Sequence, residues 1–113
     1  MKINYHNKVF RIAGDDENVT HFNYYQQGDI VWAEYSGGTV LKGSLIAKVN
    51  GNGVLDARYQ YLNKQLEFKI GKCISTPKIL ADGRIEIFEK YESIKTDPIS
   101  KGEVTIIEVI DLI

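Results

Sequence analysis

Cysteine is nearly absent from this chain. Cys73 is the only one among 113 residues, so no intrachain disulfide can form and nothing calls for an oxidising compartment. Histidine is scarce as well: His6, His21 and one thiol match no standard ligand spacing, so no metal site is expected. No apolar run approaches the ~20 residues of a membrane helix. The opening stretch, Met1 to His6, has no apolar core of signal-peptide length. A cytoplasmic protein without a membrane partner is the expectation. Charge of one sign is lacking too, with 14 basic against 15 acidic residues and a net charge of −1. Without a basic field to hold phosphates, nucleic acid is not expected as a partner. No phosphate loop, dinucleotide fingerprint or nucleophile elbow occurs, and no cofactor is expected.

What the chain does have is a cadence. Short apolar or alternating runs recur, separated by small turn residues: Gly37-Gly38, Asn50-Gly51-Asn52-Gly53, Asn63-Lys64 and Asp82-Gly83. These are hairpin signals. Strands are predicted over 3–12 (broken near Asn7), 21–27, 29–36, 39–49, 54–62, 65–75, 84–91 and 104–110. Residues 14–20 form an acidic loop holding Asp15, Asp16 and Glu17. Pro77 marks an irregular link, and 93–103 a polar loop holding Pro98. No segment shows a sustained helical apolar period with caps, so little or no helix is expected. The prediction is one all-β domain over 1–113, an antiparallel up-and-down barrel of about eight strands. Closure hides every strand edge. A two-sheet sandwich is the competing solution, but successive hairpins favour the barrel. A barrel this small is filled by side chains or holds one small ligand.

Turn arithmetic assigns faces. If Gly37-Gly38 is a two-residue loop, Glu34 faces Leu41, Trp32 faces Gly43 and Ile30 faces Leu45. Lys42 and Lys48 then lie on the other side, in water, so the Trp32 side is expected inside. An even loop at 50–53 sends Asp56, Arg58 and Gln60 inward; an odd loop with Gly53 in a bulge sends Leu55, Ala57, Tyr59 and Tyr61 inward. A two-residue Asn63-Lys64 turn places Tyr59 opposite Phe68 and Ala57 opposite Ile70. Burying that apolar face is worth about 1.5–3 kcal/mol per large side chain, which favours Tyr59, Phe68 and Ile70 inside. Ile85, Ile87, Glu89 and Tyr91 alternate onto one inner face.

The candidate ligand-binding residues follow: Trp32, Glu34, Arg58, Tyr59 and Glu89. An inward carboxylate must pair or neutralise, so Glu34 and Glu89 can hold a ligand or work as an acid/base pair. Their plainer reading is a solvated rim or an internal bond. Arg58 beside Tyr59 can grip an anion, or be a surface arginine near Lys69. Trp32 can stack on a ligand, or be core. Cys73 has no histidine on its strand and reads as an inert thiol. No catalytic residue is assigned.

Several segments resemble a family of short bacterial proteins. They are Tyr25-Gln26-Gln27-Gly28, Glu34-Tyr35-Ser36-Gly37-Gly38, Lys42-Gly43-Ser44-Leu45-Ile46, Arg58-Tyr59-Gln60, Gly71-Lys72-Cys73-Ile74-Ser75-Thr76-Pro77 and Asp82-Gly83-Arg84-Ile85. Members of that family often carry the automated label N-acetylglutamate synthase and are avidin-like in fold. The resemblance spans roughly residues 1–92. The chain departs from it at Phe88, where the family pattern has His, and over Tyr91 to Ile94, where it is Trp-rich. The label implies acetyl transfer, which usually needs a glycine-rich pyrophosphate loop opening a helix; this chain has neither. The reading is therefore a barrel that binds a small ligand in or at its mouth. The alternatives are an acetyltransferase-type enzyme, or an interaction module working through its exterior, with a homo-oligomer as one form of it.

Overall fold

The computed structural model describes residues 3–14, 16–94 and 100–110. Asp15 and Pro98, both in predicted loops, lie outside the described residues. The described residues form eight strands and no helix: β1 Lys8–Ile12, β2 His21–Gln27, β3 Ile30–Gly37, β4 Val40–Val49, β5 Leu55–Asn63, β6 Phe68–Ile79, β7 Ile85–Ser93 and β8 Lys101–Glu108. Each strand pairs antiparallel with its neighbour in sequence. β1 also pairs with β8, through Phe10↔Glu108 and Ile12↔Ile106, so the meander closes into an up-and-down barrel without an edge. The break near Asn7 is present: its φ is 58°, and residues 3–7 leave the first strand to cross one end of the barrel.

Turn chemistry sets the register. At 50–54 the Asn50 and Val54 backbones close a three-residue loop, with Gly53 left-handed at φ 79°. This is the odd-numbered alternative, and Leu55, Ala57, Tyr59 and Tyr61 point inward. At 63–67 the loop is again three residues, Lys64 to Leu66, not the two-residue Asn63-Lys64 turn. Leu66 takes the left-handed position at φ 62°. Phe68 therefore pairs with Leu62 and Ile70 with Gln60, and both lie on the outer wall, Phe68 at 75% exposure. Their expected burial is corrected: the loop starts one residue later and is one residue longer, so β6 slides three places along β5, Tyr59 meeting Gly71 instead of Phe68, and an odd shift exchanges its faces.

The same slip occurs earlier. Gly37 pairs with Val40, so the loop is Gly38-Thr39 and the register jumps between Tyr35 and Gly37. Trp32 pairs with Ile46 and Glu34 with Ser44 on the outer wall, while Val31, Ala33, Tyr35, Leu45 and Ala47 are buried. The inward placement of Trp32 and Glu34 is therefore overturned, along with that of Ile30 and Leu41, which are 56% and 46% exposed. Pro77 is no link. It sits inside β6 opposite Ile87, in a stretch beyond the last β5 partner, Leu55↔Ser75, so no ladder bond on that side needs its missing N–H.

The core fills the half of the lumen next to the N-terminal segment. Tyr5, Phe10, Tyr24, Leu55, Ile87 and Ile106 are each fully buried there. Tyr24 meets Phe10 edge-on at 5.0 Å and Tyr5 at 5.9 Å. The Tyr5 hydroxyl donates to the Gly53 carbonyl at 2.5 Å, and its backbone N–H donates to Gln26 Oε1 at 2.9 Å. Residues 3–7 thus act as a stopper.

Candidate functional site

Among the described residues the opposite end stays open. It is rimmed by the β1–β2, β3–β4 and β5–β6 connections, and the Thr20 hydroxyl ties the first two together by donating to the Gly37 carbonyl at 3.0 Å. Behind the rim lies a cavity of about 280 Å³, lined by Phe22, Tyr35, Tyr59, Tyr61, Tyr91 and Val104, with Cys73 and Glu89 deeper in.

Three of its tyrosines are mounted alike. Tyr35 lies over Gly43, Tyr59 over Gly71 and Tyr91 over Gly102 on adjoining strands. A Cβ at any of these glycines would meet the tyrosine side chain at 2.2 Å, so only a bare backbone lets each ring lie against the wall. The space a side chain would take becomes space for the ring, and the lumen centre stays open. Tyr59 and Tyr61 stack at 6.2 Å, and Tyr35 meets Tyr61 at 6.3 Å and Phe22 at 4.9 Å. The Tyr35 hydroxyl reaches the Gln60 carbonyl at 3.3 Å.

Glu89 is the one carboxylate in this lining, and it is 6% exposed. The Ser75 hydroxyl and the Cys73 thiol donate to its Oε2 at 3.4 and 3.5 Å. Its Oε1 is buried with no hydrogen-bond partner among the described residues, as is the Tyr24 hydroxyl. Burial pushes Glu89 up to about 7, against the opposing pull of the thiol and hydroxyl donors. Among the described residues no lysine or arginine forms an ion pair with it. Burial, and then the charge of Glu89, push Cys73 up to about 12, so at neutral pH the thiol is protonated and not a nucleophile. Burial raises Tyr5, Tyr24 and Tyr35 strongly and Tyr59 to about 12, with Glu89 adding to each. Cys73 and these four tyrosines are thus uncharged near neutrality.

Of the five residues singled out from sequence, the cavity brings Tyr59 and Glu89 together. The other three stand on the outer wall. Trp32 is half-buried and stacks on Tyr25 at 5.9 Å. Glu34 is exposed between Asn23 and Ser44. Arg58 is exposed and pairs with Asp56 at 2.7 Å. Arg58 also borders a larger trough of about 700 Å³ across the outside of β5 to β8. There the rungs Arg58–Lys72–Glu92–Lys101 and Asp56–Ile74–Lys90–Glu103 mix both signs, as a solvated wall does. The trough is wide but its charges face water, so the smaller lumen cavity is the better-built site. Tyr35, Tyr61 and Tyr91 line the cavity, and Ser75 bonds Glu89 behind it, without having been singled out as candidates. The signal for Tyr35 and Tyr91 was a glycine on the adjoining strand, legible only once the register is known.

With this geometry in view, comparison with known families gives one match: the model of the avidin-like proteins covers residues 3–109. The chain belongs to the avidin-like protein family. Neither the curated proteins nor the solved structures gave a match. Among the described residues no group of three or more His, Cys, Asp or Glu is placed to hold a metal ion, and no helix is long and apolar enough to cross a membrane.

Proposed function

We propose that this avidin-like barrel binds a small molecule in its open mouth, against Glu89 and the tyrosine walls. The observation that carries this reading is the pairing of an open 280 Å³ cavity with a buried carboxylate oxygen that no group among the described residues satisfies. An unpartnered buried polar atom costs about 1–3 kcal/mol, and a ligand donor placed there recovers it. Fold alone does not name a ligand, so the reading rests on the site.

The test is a fragment screen followed by nuclear magnetic resonance, on the wild type and on Val104→Phe, which fills the mouth from β8. Fragments that perturb Tyr59 and Tyr91 in the wild type and fail to do so in Val104→Phe support the reading. Fragments that bind both proteins equally, or none that bind, overturn it. Release of free CoA from acetyl-CoA and glutamate by the pure protein would replace binding with catalysis.

A further inference from the structure

We propose that the ligand is a small organic cation carrying an N–H donor, held by the Glu89 carboxylate at the floor and by the tyrosine faces at the sides. This rests on the ligand-binding reading above and adds the chemistry of what is bound.

The lumen selects by charge. Glu89 has one oxygen satisfied by Ser75 and Cys73 and one left over. The titratable groups that face it are Tyr5 from the N-terminal stopper, Tyr24 from β2, Tyr35 from β3, Tyr59 from β5 and Cys73 from β6. All are neutral near pH 7, so none supplies the positive partner that an ionised carboxylate needs in a low-dielectric site. β7 adds Tyr91 to the lining, whereas β4 and β8 add only Leu45, Val40 and Val104. The basic residues Lys42, Lys48, Arg58, Lys72, Lys90 and Lys101 are all exposed. Among the described residues that line the cavity, an anion therefore meets a buried carboxylate and no cation.

The walls select in the same direction. The face of a tyrosine ring attracts a cation by about 0.5–2 kcal/mol, most when desolvated. Tyr35, Tyr59 and Tyr91 are held against the barrel wall by the glycines beneath them. An ammonium group between such faces can approach the Glu89 carboxylate while its organic part fills the cavity.

Protonation separates this ligand from a neutral one. A cation favours ionised Glu89, so below neutrality its binding expels the carboxyl proton to solvent. A neutral ligand offering only acceptors favours the protonated carboxyl and behaves in the opposite sense. With Glu89 near 7, the ionised fraction rises roughly 30-fold between pH 5.5 and 8.0, and the affinity of a cation rises with it.

The test uses three probes of one shape: benzylamine, benzyl alcohol and benzoate. Each is titrated by calorimetry and nuclear magnetic resonance into the wild type and into Glu89→Gln. Benzylamine is expected to perturb Tyr59 and Tyr91 and to bind tightest of the three at pH 8.0. It should weaken roughly 30-fold by pH 5.5 and lose that pH dependence in Glu89→Gln. The pH series on the wild type stands by itself if the variant fails to fold. Cavity binding by benzyl alcohol or benzoate equal to or tighter than that of benzylamine overturns the inference and leaves the binding site standing. So does a benzylamine affinity that ignores pH. If none of the three perturbs the cavity residues, the inference and the binding reading fall together.

Discussion

The two halves of this barrel solve opposite problems with the same residue type. At the stoppered end, tyrosine is filler. Tyr5 and Tyr24 are fully buried, pack on Phe10 and close the lumen. At the mouth, tyrosine is lining. Tyr35, Tyr59 and Tyr91 lie back over glycines and leave the middle empty. The hairpins differ in the same way. Two three-residue loops at the stoppered end, 51–53 and 81–83, put glycine in the left-handed position. The matching loop at the mouth, 64–66, puts Leu66 there, at a cost of about 1–2 kcal/mol. One end is built for stability. The other carries a buried carboxylate, an unfilled cavity and a strained turn, the pattern expected of a site that interacts with something else.

The largest effect should come from breaking the filled half. Phe10→Ala is expected to destabilise the fold by about 3–5 kcal/mol, because the ring is fully enclosed and its neighbours cannot collapse into the gap. Tyr59→Ala should cost less than half as much, because its ring already borders open space. Denaturant midpoints for the two variants measure the difference. Equal losses would erase the distinction between filler and lining.

The next effect is pH-dependent and belongs to the mouth. Glu89 is held above its usual value of 4.5, at about 7. The folded state therefore keeps a proton that the unfolded state has already lost, and stability falls as pH rises between those values. At ~1.4 kcal/mol per pH unit of displacement, the full loss is about 3 kcal/mol. Glu89→Gln removes the ionisation. Its advantage over the wild type should be near zero at pH 4.5 and grow to about 3 kcal/mol at pH 8, as read from melts across that range. A constant difference would show that Glu89 is already paired when folded.

The smallest effect sharpens the contrast between the turns. Leu66→Gly gives the mouth loop what its counterparts have, and should stabilise the protein by about 0.5–1 kcal/mol once the greater freedom of glycine in the unfolded chain is deducted. A lower melting temperature would mean that the exposed Leu66 side chain has packing value of its own.

Much of the barrel was readable before the structure. Strand 21–27 has the predicted bounds, the break near Asn7 is present, and the alternation of Ile85, Ile87, Glu89 and Tyr91 faces the lumen. The 50–54 turn was readable to within one choice, because a glycine marks the left-handed residue of its bulge. The 63–67 turn was not, because Leu66 carries no such mark. At Gly37-Gly38 both residues accept positive φ, so the pair cannot say whether the loop begins at the first or the second. The unread turns, with the bulge between Tyr35 and Gly37, moved the partner of Trp32 from Gly43 to Ile46 and that of Tyr59 from Phe68 to Gly71, an odd number of places each, which is why Trp32, Glu34, Phe68 and Ile70 stand on the outer wall.

Local chemistry, then, was enough for the number of strands, the order in which they pair and the closure of the sheet, since alternation and turn residues act between neighbours along the chain. Which side chains meet in the lumen was settled only by the assembled barrel. Tyr35, Tyr59, Cys73, Ser75 and Glu89 come from four different strands, and their convergence depends on bulges and loop lengths that each shift the register by a single residue.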